Sequence, residues 1–131
     1  MHKQALTLSA PDFSLADTLN CGQAFRWEPE GNGYQGIVGK RLLKVCQDKE
    51  KLILFGIEEE DLPFWESYFD LKGPYASCKT LYQSDSVLKS ACEFSGGITI
   101  LRQDPWEVLC SFIISQNNNI PRIKGIVKRL C

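Results

Sequence analysis

The sequence has little of what would mark an exported, membrane-spanning or metal-bound protein. No apolar run in its 131 residues approaches the roughly 20 needed to cross a bilayer. The N-terminus, Met1-His2-Lys3-Gln4-Ala5-Leu6, lacks the apolar stretch of a secretion signal. Histidine occurs once, and the six cysteines (Cys21, Cys46, Cys78, Cys92, Cys110, Cys131) include no Cys-x-x-Cys pair. A zinc site needs clustered thiolates or imidazoles, so none is expected. The even cysteine count leaves a disulfide framework open. Most of the six sit among apolar neighbours, however, as in Leu109-Cys110-Ser111-Phe112. Reduced thiols acting as small core hydrophobes are therefore the expectation. Repeats and low-complexity segments are also missing. With 44% apolar and 24% charged residues, the composition is that of an ordinary globular protein. The length allows one modest domain, or a small sheet domain with a piece of a second.

A net charge of −1 excludes a protein that coats nucleic acid indiscriminately, yet the charge is unevenly spread. Residues 116–131 carry Arg122, Lys124, Lys128 and Arg129 and no acid, while residues 1–115 hold the other 11 basic and all 16 acidic side chains. Such a segment is either a solvated helix face or a surface that meets a polyanion.

The first half reads as short strands. Ala24-Phe25-Arg26-Trp27 alternates, and Gly31-Asn32-Gly33 turns the chain into Tyr34–Val38. Gly39-Lys40 leads to Arg41–Gln47, and Asp48-Lys49-Glu50 to Lys51–Ile57, so the spacing predicts an antiparallel sheet. From Glu58 the pattern becomes helical. An acidic start, Glu58-Glu59-Glu60-Asp61, precedes Phe64, Trp65, Tyr68 and Phe69 at helical spacing. A second helix is expected from about Ser84 to Phe94, capped by Ser84 or Asp85 and closed by Gly96-Gly97, with Ile98–Leu101 extended. Asp104-Pro105-Trp106-Glu107 has the form of a helix start with a capping box. Val108–Ile114 is apolar nearly all round, which predicts a deeply buried helix. After Ser115-Gln116-Asn117-Asn118-Asn119, a last helix starts near Ile120-Pro121, with Ile123, Ile126, Val127 and Leu130 on one face.

Three consecutive asparagines between a buried helix and a basic one can simply be a loop and an N-cap. They can also be functional. A helix N-terminus offers free N–H groups and partial positive charge to a phosphate, asparagine can donate to phosphates or base edges, and Arg122 lies in the first turn beside them.

The stretch Leu101–Glu107, continuing through Ser111-Phe112-Ile113-Ile114-Ser115-Gln116-Asn117-Asn118-Asn119-Ile120-Pro121-Arg122-Ile123, resembles the 8-oxoguanine DNA glycosylases of the helix-hairpin-helix superfamily. Cys21-Gly22-Gln23-Ala24-Phe25-Arg26-Trp27 is similar to that family's N-terminal glycine motif. The likeness runs from about residue 5 to 131 and covers the front of the family's pattern only. It implies that the damaged nucleotide is flipped into a pocket, since its glycosidic bond is out of reach within the stack. It assigns a base-reading backbone carbonyl to Gly22, where the missing Cβ lets main chain approach a ligand closely. It assigns filling of the vacated space to Asn117 and reading of the orphaned cytosine to Arg122, with Asn118 and Asn119 as supporting or phosphate contacts. From the residues alone, Gly22 reads first as a turn glycine leading into a strand, with Phe25 and Trp27 as core.

The resemblance places the Schiff-base lysine and catalytic aspartate downstream of Cys131, so this chain holds no expected catalytic residue and is expected to be inactive alone. Lys124 and Lys128 lie at i, i+4 on what reads as a solvated face. No metal or organic cofactor is implied, because superfamily members with an iron–sulfur cluster use four closely spaced cysteines.

The expected fold class is α+β: an antiparallel sheet domain over residues 5–115 beside the first helices of a truncated all-helical domain at 116–131. The implied function is excision of 8-oxoguanine opposite cytosine with strand-lyase activity, by an intracellular monomer acting on double-stranded DNA. The same residues also fit a non-catalytic damaged-DNA-binding module or an inactive gene fragment.

Overall fold

The computed structural model describes residues 5–131. The reading of Met1–Gln4 as lacking a secretion signal lies outside the described residues. The order is β1 (Leu6–Ser9), α1 (Leu15–Asn20), β2 (Trp27–Glu30), β3 (Gly33–Val38), β4 (Arg41–Asp48), β5 (Lys51–Phe55), α2 (Leu62–Tyr68), α3 (Tyr75–Tyr82), α4 (Ser86–Ser95), α5 (Pro105–Ser115) and α6 (Ile120–Leu130). The fold is α+β.

The strands form one antiparallel sheet in the order β1-β5-β4-β3-β2. Its three hairpins fall at the turns expected from the sequence. Two-residue periodicity turns Leu43 and Val45 of β4 and Leu52 and Leu54 of β5 into the core. Leu15 and Leu19 of α1 join them, as do Trp65, Tyr68 and Phe69 of the α2 region. The Trp27 and Trp65 rings meet edge to face at 6.5 Å, and Trp27 Nε1 donates to Tyr68 Oη at 2.9 Å. Burial pushes the Tyr68 hydroxyl up to about 12. Trp27 lies flat across Gly36, where any Cβ would overlap the indole.

Several expectations need correction. Ala24-Phe25-Arg26 is not strand; β2 begins at Trp27, because Gln23 is bonded to the 99–103 segment and Arg26 O reaches β3 through a long 3.4 Å bond from Ile37 N–H. The helix expected from about Ser84 is present as Ser86–Ser95, and of the two caps considered it uses Asp85, whose Oδ1 accepts from Val87 and Leu88 N–H at 2.9 Å. The largest departure is α5. Asp104 caps it as expected, but Trp106 is 71% exposed and Phe112 63%, so the helix is not deeply buried. Among the described residues only one side of it is covered, chiefly by α6 and the loop before β2. Glu107 does not close a capping box; its carboxylate faces Arg26 Nη1 at 3.3 Å. All six cysteines are free, as expected, but only Cys46 is buried. Three elements, β1, α1 and α3, had not been anticipated.

Candidate nucleic-acid interface

The asparagine run is the corner between α5 and α6, and its three members do different things. Asn117 adopts φ +50°, the left-handed conformation that ends a helix and that asparagine tolerates better than most residues. Asn118 turns inward: its Nδ2 donates to Ile114 O at 3.0 Å, and its Oδ1 accepts from Asn119 N–H at 3.0 Å. Asn119 is the N-cap of α6, its Oδ1 accepting from Arg122 N–H at 3.1 Å. Pro121 occupies the first turn, where a missing N–H costs nothing. The side chains of Asn118 and Asn119 are thus committed to the turn and cap. Those of Asn117 and Arg122 are exposed and make no hydrogen bond or ion pair among the described residues.

Four cations lie on α6, but they are not equivalent. Lys124 is not a solvated-face residue: its side chain is 22% exposed, and its ammonium donates to Trp27 O at 2.8 Å and faces Glu28 Oε2 at 3.8 Å. It ties α6 to the sheet. Arg122, Lys128 and Arg129 remain exposed. On the inner side, Ile123 and Val127 are buried against Phe25, with Ile114 packed beside them. Ile126 is half-buried and Leu130 exposed, so the apolar face expected of α6 is covered only in part.

Gly22 lies against this corner. It has φ +88°, and a Cβ built on it would stand 3.6 Å from Ile120 Cδ1, an ordinary contact. A side chain there has room but not an easy backbone. Gly22 is therefore seated against Ile120 at the start of α6, the helix whose N-terminal corner carries Asn117 and Arg122. Next to Gly22, the Gln23 side chain donates to Thr99 O at 2.8 Å and Thr18 O at 3.2 Å and accepts from Leu101 N–H at 3.0 Å. Sequence reasoning gave Gln23 and Arg26 no role of their own and set Lys124 on a solvated face. Their distant partners, among them the backbone carbonyls of Thr18, Thr99 and Trp27, leave no mark in a sequence pattern.

Among the described residues no group of three or more His, Cys, Asp or Glu side chains is placed to hold a metal ion, and no helix is long and apolar enough to cross a membrane.

Residues 5–109 match the family described as 8-oxoguanine DNA glycosylase, N-terminal domain. The N-glycosylase/DNA lyase of Saccharomyces cerevisiae is 33% identical over 96% of this chain, which spans 38% of that protein. The crystal structure of the Clostridium acetobutylicum 8-oxoguanine glycosylase/lyase in its apo-form is 40% identical, with a TM-score of 0.85, covering 95% of this chain and 45% of that one. The same enzyme in complex with double-stranded DNA containing cytosine opposite 8-oxoguanine is 38% identical with a TM-score of 0.83, covering 94% and 46%. This chain thus spans less than half of each of these relatives. It belongs to the 8-oxoguanine DNA glycosylase family, which it matches through the N-terminal domain.

Proposed function

We propose that this chain is the damaged-duplex-binding part of an 8-oxoguanine DNA glycosylase/AP lyase of base excision repair. Its DNA partner carries 8-oxoguanine opposite cytosine. The observation that carries this is the seating of the positive-φ Gly22 turn against Ile120, at the start of the helix whose corner carries the exposed, unengaged side chains of Asn117 and Arg122. Each suits one part of the task. Oxidation converts guanine N7 from an acceptor to an N–H donor, so a backbone carbonyl at Gly22 accepts from the lesion and repels the normal base. Arg122 presents a donor-only fork to the two acceptors, N3 and O2, of an unpaired cytosine. Asn117 fills the space left by the flipped nucleotide, and Asn118 and Asn119 hold the corner that presents it. Residues 5–115 form the N-terminal domain and 116–131 open the helical one. The protein acts as an intracellular monomer without metal or organic cofactor. The nucleophilic lysine and the aspartate are contributed by sequence beyond Cys131.

The test joins this chain to the remaining length of the Clostridium acetobutylicum enzyme. The hybrid should excise 8-oxoguanine opposite cytosine in preference to other opposite bases and leave undamaged duplex intact; excision without either preference would overturn the proposal. The 131-residue chain alone should form no borohydride-trapped adduct, since Lys124 is engaged with Trp27 O and Lys128 is exposed. Its duplex affinity should fall with salt. With Lys124 withdrawn, two or three phosphate contacts give a log–log slope of about −2 to −3.

A further inference from the structure

We infer that Gln23 is a positioning residue for lesion recognition, setting the Gly22 turn in place relative to the segment that leads into the opposite-base corner. The inference rests on the base-reading role proposed for Gly22. The primary amide of Gln23 is used at both ends: Nε2 donates to Thr99 O and Thr18 O, and Oε1 accepts from Leu101 N–H. Its backbone carbonyl is held as well, by Gln103 Nε2 at 2.6 Å. The bonds to Thr99, Leu101 and Gln103 join residues 76 to 80 positions apart in the sequence. They fasten the residue after Gly22 to a segment that itself continues, through the Asp104 cap, into α5 and the asparagine corner.

The partners specify glutamine. Two carbonyl oxygens and one N–H converge on the side chain, which calls for two donors and one acceptor on a planar group of this length. Glutamate would set a carboxylate oxygen against Thr99 O and Thr18 O, and a rotated amide would turn both contacts repulsive. The anchor is firm, because Thr18 and Thr99 are buried. Thr99 Oγ1 donates to Phe69 O at 2.7 Å, and Thr99 N–H donates to Thr18 Oγ1 at 3.3 Å. On its other side Gly22 follows the last turn of α1, where the Cys21 thiol bonds Thr18 O at 3.3 Å. The Gly22 peptide is thereby fixed from both directions. A carbonyl that must separate two bases by one hydrogen needs such fixing, since a small displacement loses the contact without unfolding anything.

The test uses Gln23→Leu and the milder Gln103→Leu, which removes only the bond to the backbone carbonyl. Both are made in the hybrid enzyme and in the 131-residue chain. Single-turnover excision of 8-oxoguanine opposite cytosine should fall about tenfold or more for Gln23→Leu and about threefold for Gln103→Leu, the scale of losing several oriented hydrogen bonds or one. Affinity for a duplex with a tetrahydrofuran abasic analogue opposite cytosine, which presents no base to Gly22, should stay within about twofold, the fold being intact. In the isolated chain, amide exchange at Leu101 should speed up in Gln23→Leu. A merely structural role would lower abasic-site affinity and excision together, and that result overturns the inference. Unchanged excision in both variants overturns it too, leaving the Gly22 reading standing. A wild-type hybrid that binds the lesion duplex no better than undamaged duplex overturns both.

Discussion

Replacing Gly22 by alanine separates the two jobs this residue can hold, provided that strain is counted first. Its φ of +88° lies outside the range that L-residues favour, so Gly22→Ala costs about 1–3 kcal/mol from backbone conformation alone. The new methyl meets only Ile120 Cδ1 at 3.6 Å, so steric overlap within the protein adds nothing. For a domain of this size, each kcal/mol lowers the thermal midpoint by about 3–6 °C. A lower midpoint is therefore expected whether or not Gly22 reads a base, and melting of this variant alone decides nothing.

The second variant supplies the discrimination. Asparagine tolerates positive φ better than alanine, so Gly22→Asn should recover part of the lost midpoint. It still places a Cβ and an amide where the base must approach. If the Gly22 carbonyl accepts from N7–H, the contrast between lesion and guanine combines a hydrogen bond of about 0.5–1.5 kcal/mol with an unsatisfied acceptor of about 1–3 kcal/mol. Excision by the hybrid enzyme, abasic-duplex affinity and melting are measured on both variants. Excision should be low in both, abasic affinity near wild type in both, and the midpoint higher in Gly22→Asn. Recovery of excision in step with the midpoint would show that Gly22 serves the backbone only.

Arg122→Ala in the hybrid should relax the preference for cytosine opposite the lesion by about 1–3 kcal/mol while leaving the melting temperature unchanged, since the side chain has no partner in the fold; a uniform affinity loss with preference intact would make Arg122 a phosphate contact. Lys124→Met should lower stability by about 1–2 kcal/mol through the lost bond to Trp27 O, with Glu28, largely exposed, adding little; an unchanged urea midpoint would refute the tether. Tyr68 holds its proton up to about pH 12 in the fold but only to about 10 when unfolded, so its contribution is whole below pH 10 and is lost as pH rises from 10 to 12. The stability advantage of wild type over Tyr68→Phe should therefore shrink by about 2–3 kcal/mol across that window, and an advantage constant with pH would count against the buried hydroxyl.

What could be read in the sequence was what local chemistry decides. The hairpins of β2 to β5 announce themselves through turn residues and two-residue alternation, and Asp104 and Asp85 mark helix starts because a cap bonds within three residues of itself. β1 is only Leu-Thr-Leu-Ser, and what makes it a strand is the open edge of β5, with Leu6 opposite Leu54. α3 begins at Tyr75 behind Pro74, an N-cap that makes no side-chain hydrogen bond, so no capping side chain marks its start. The burial of α5 was misjudged for a related reason: an apolar run states a demand for cover but does not supply the covering residues. The asparagines carry this to the candidate site. Three identical side chains cannot be ranked in a sequence, yet one backbone torsion and three hydrogen bonds divide them into two that build the corner and one that is left to face outward. The same division separates Lys124 from Arg122, two neighbours on one helix of which only the arginine stays unengaged. Residue type thus says which groups are able to meet DNA, and the long-range bonds to backbone carbonyls remove those already spent on the fold.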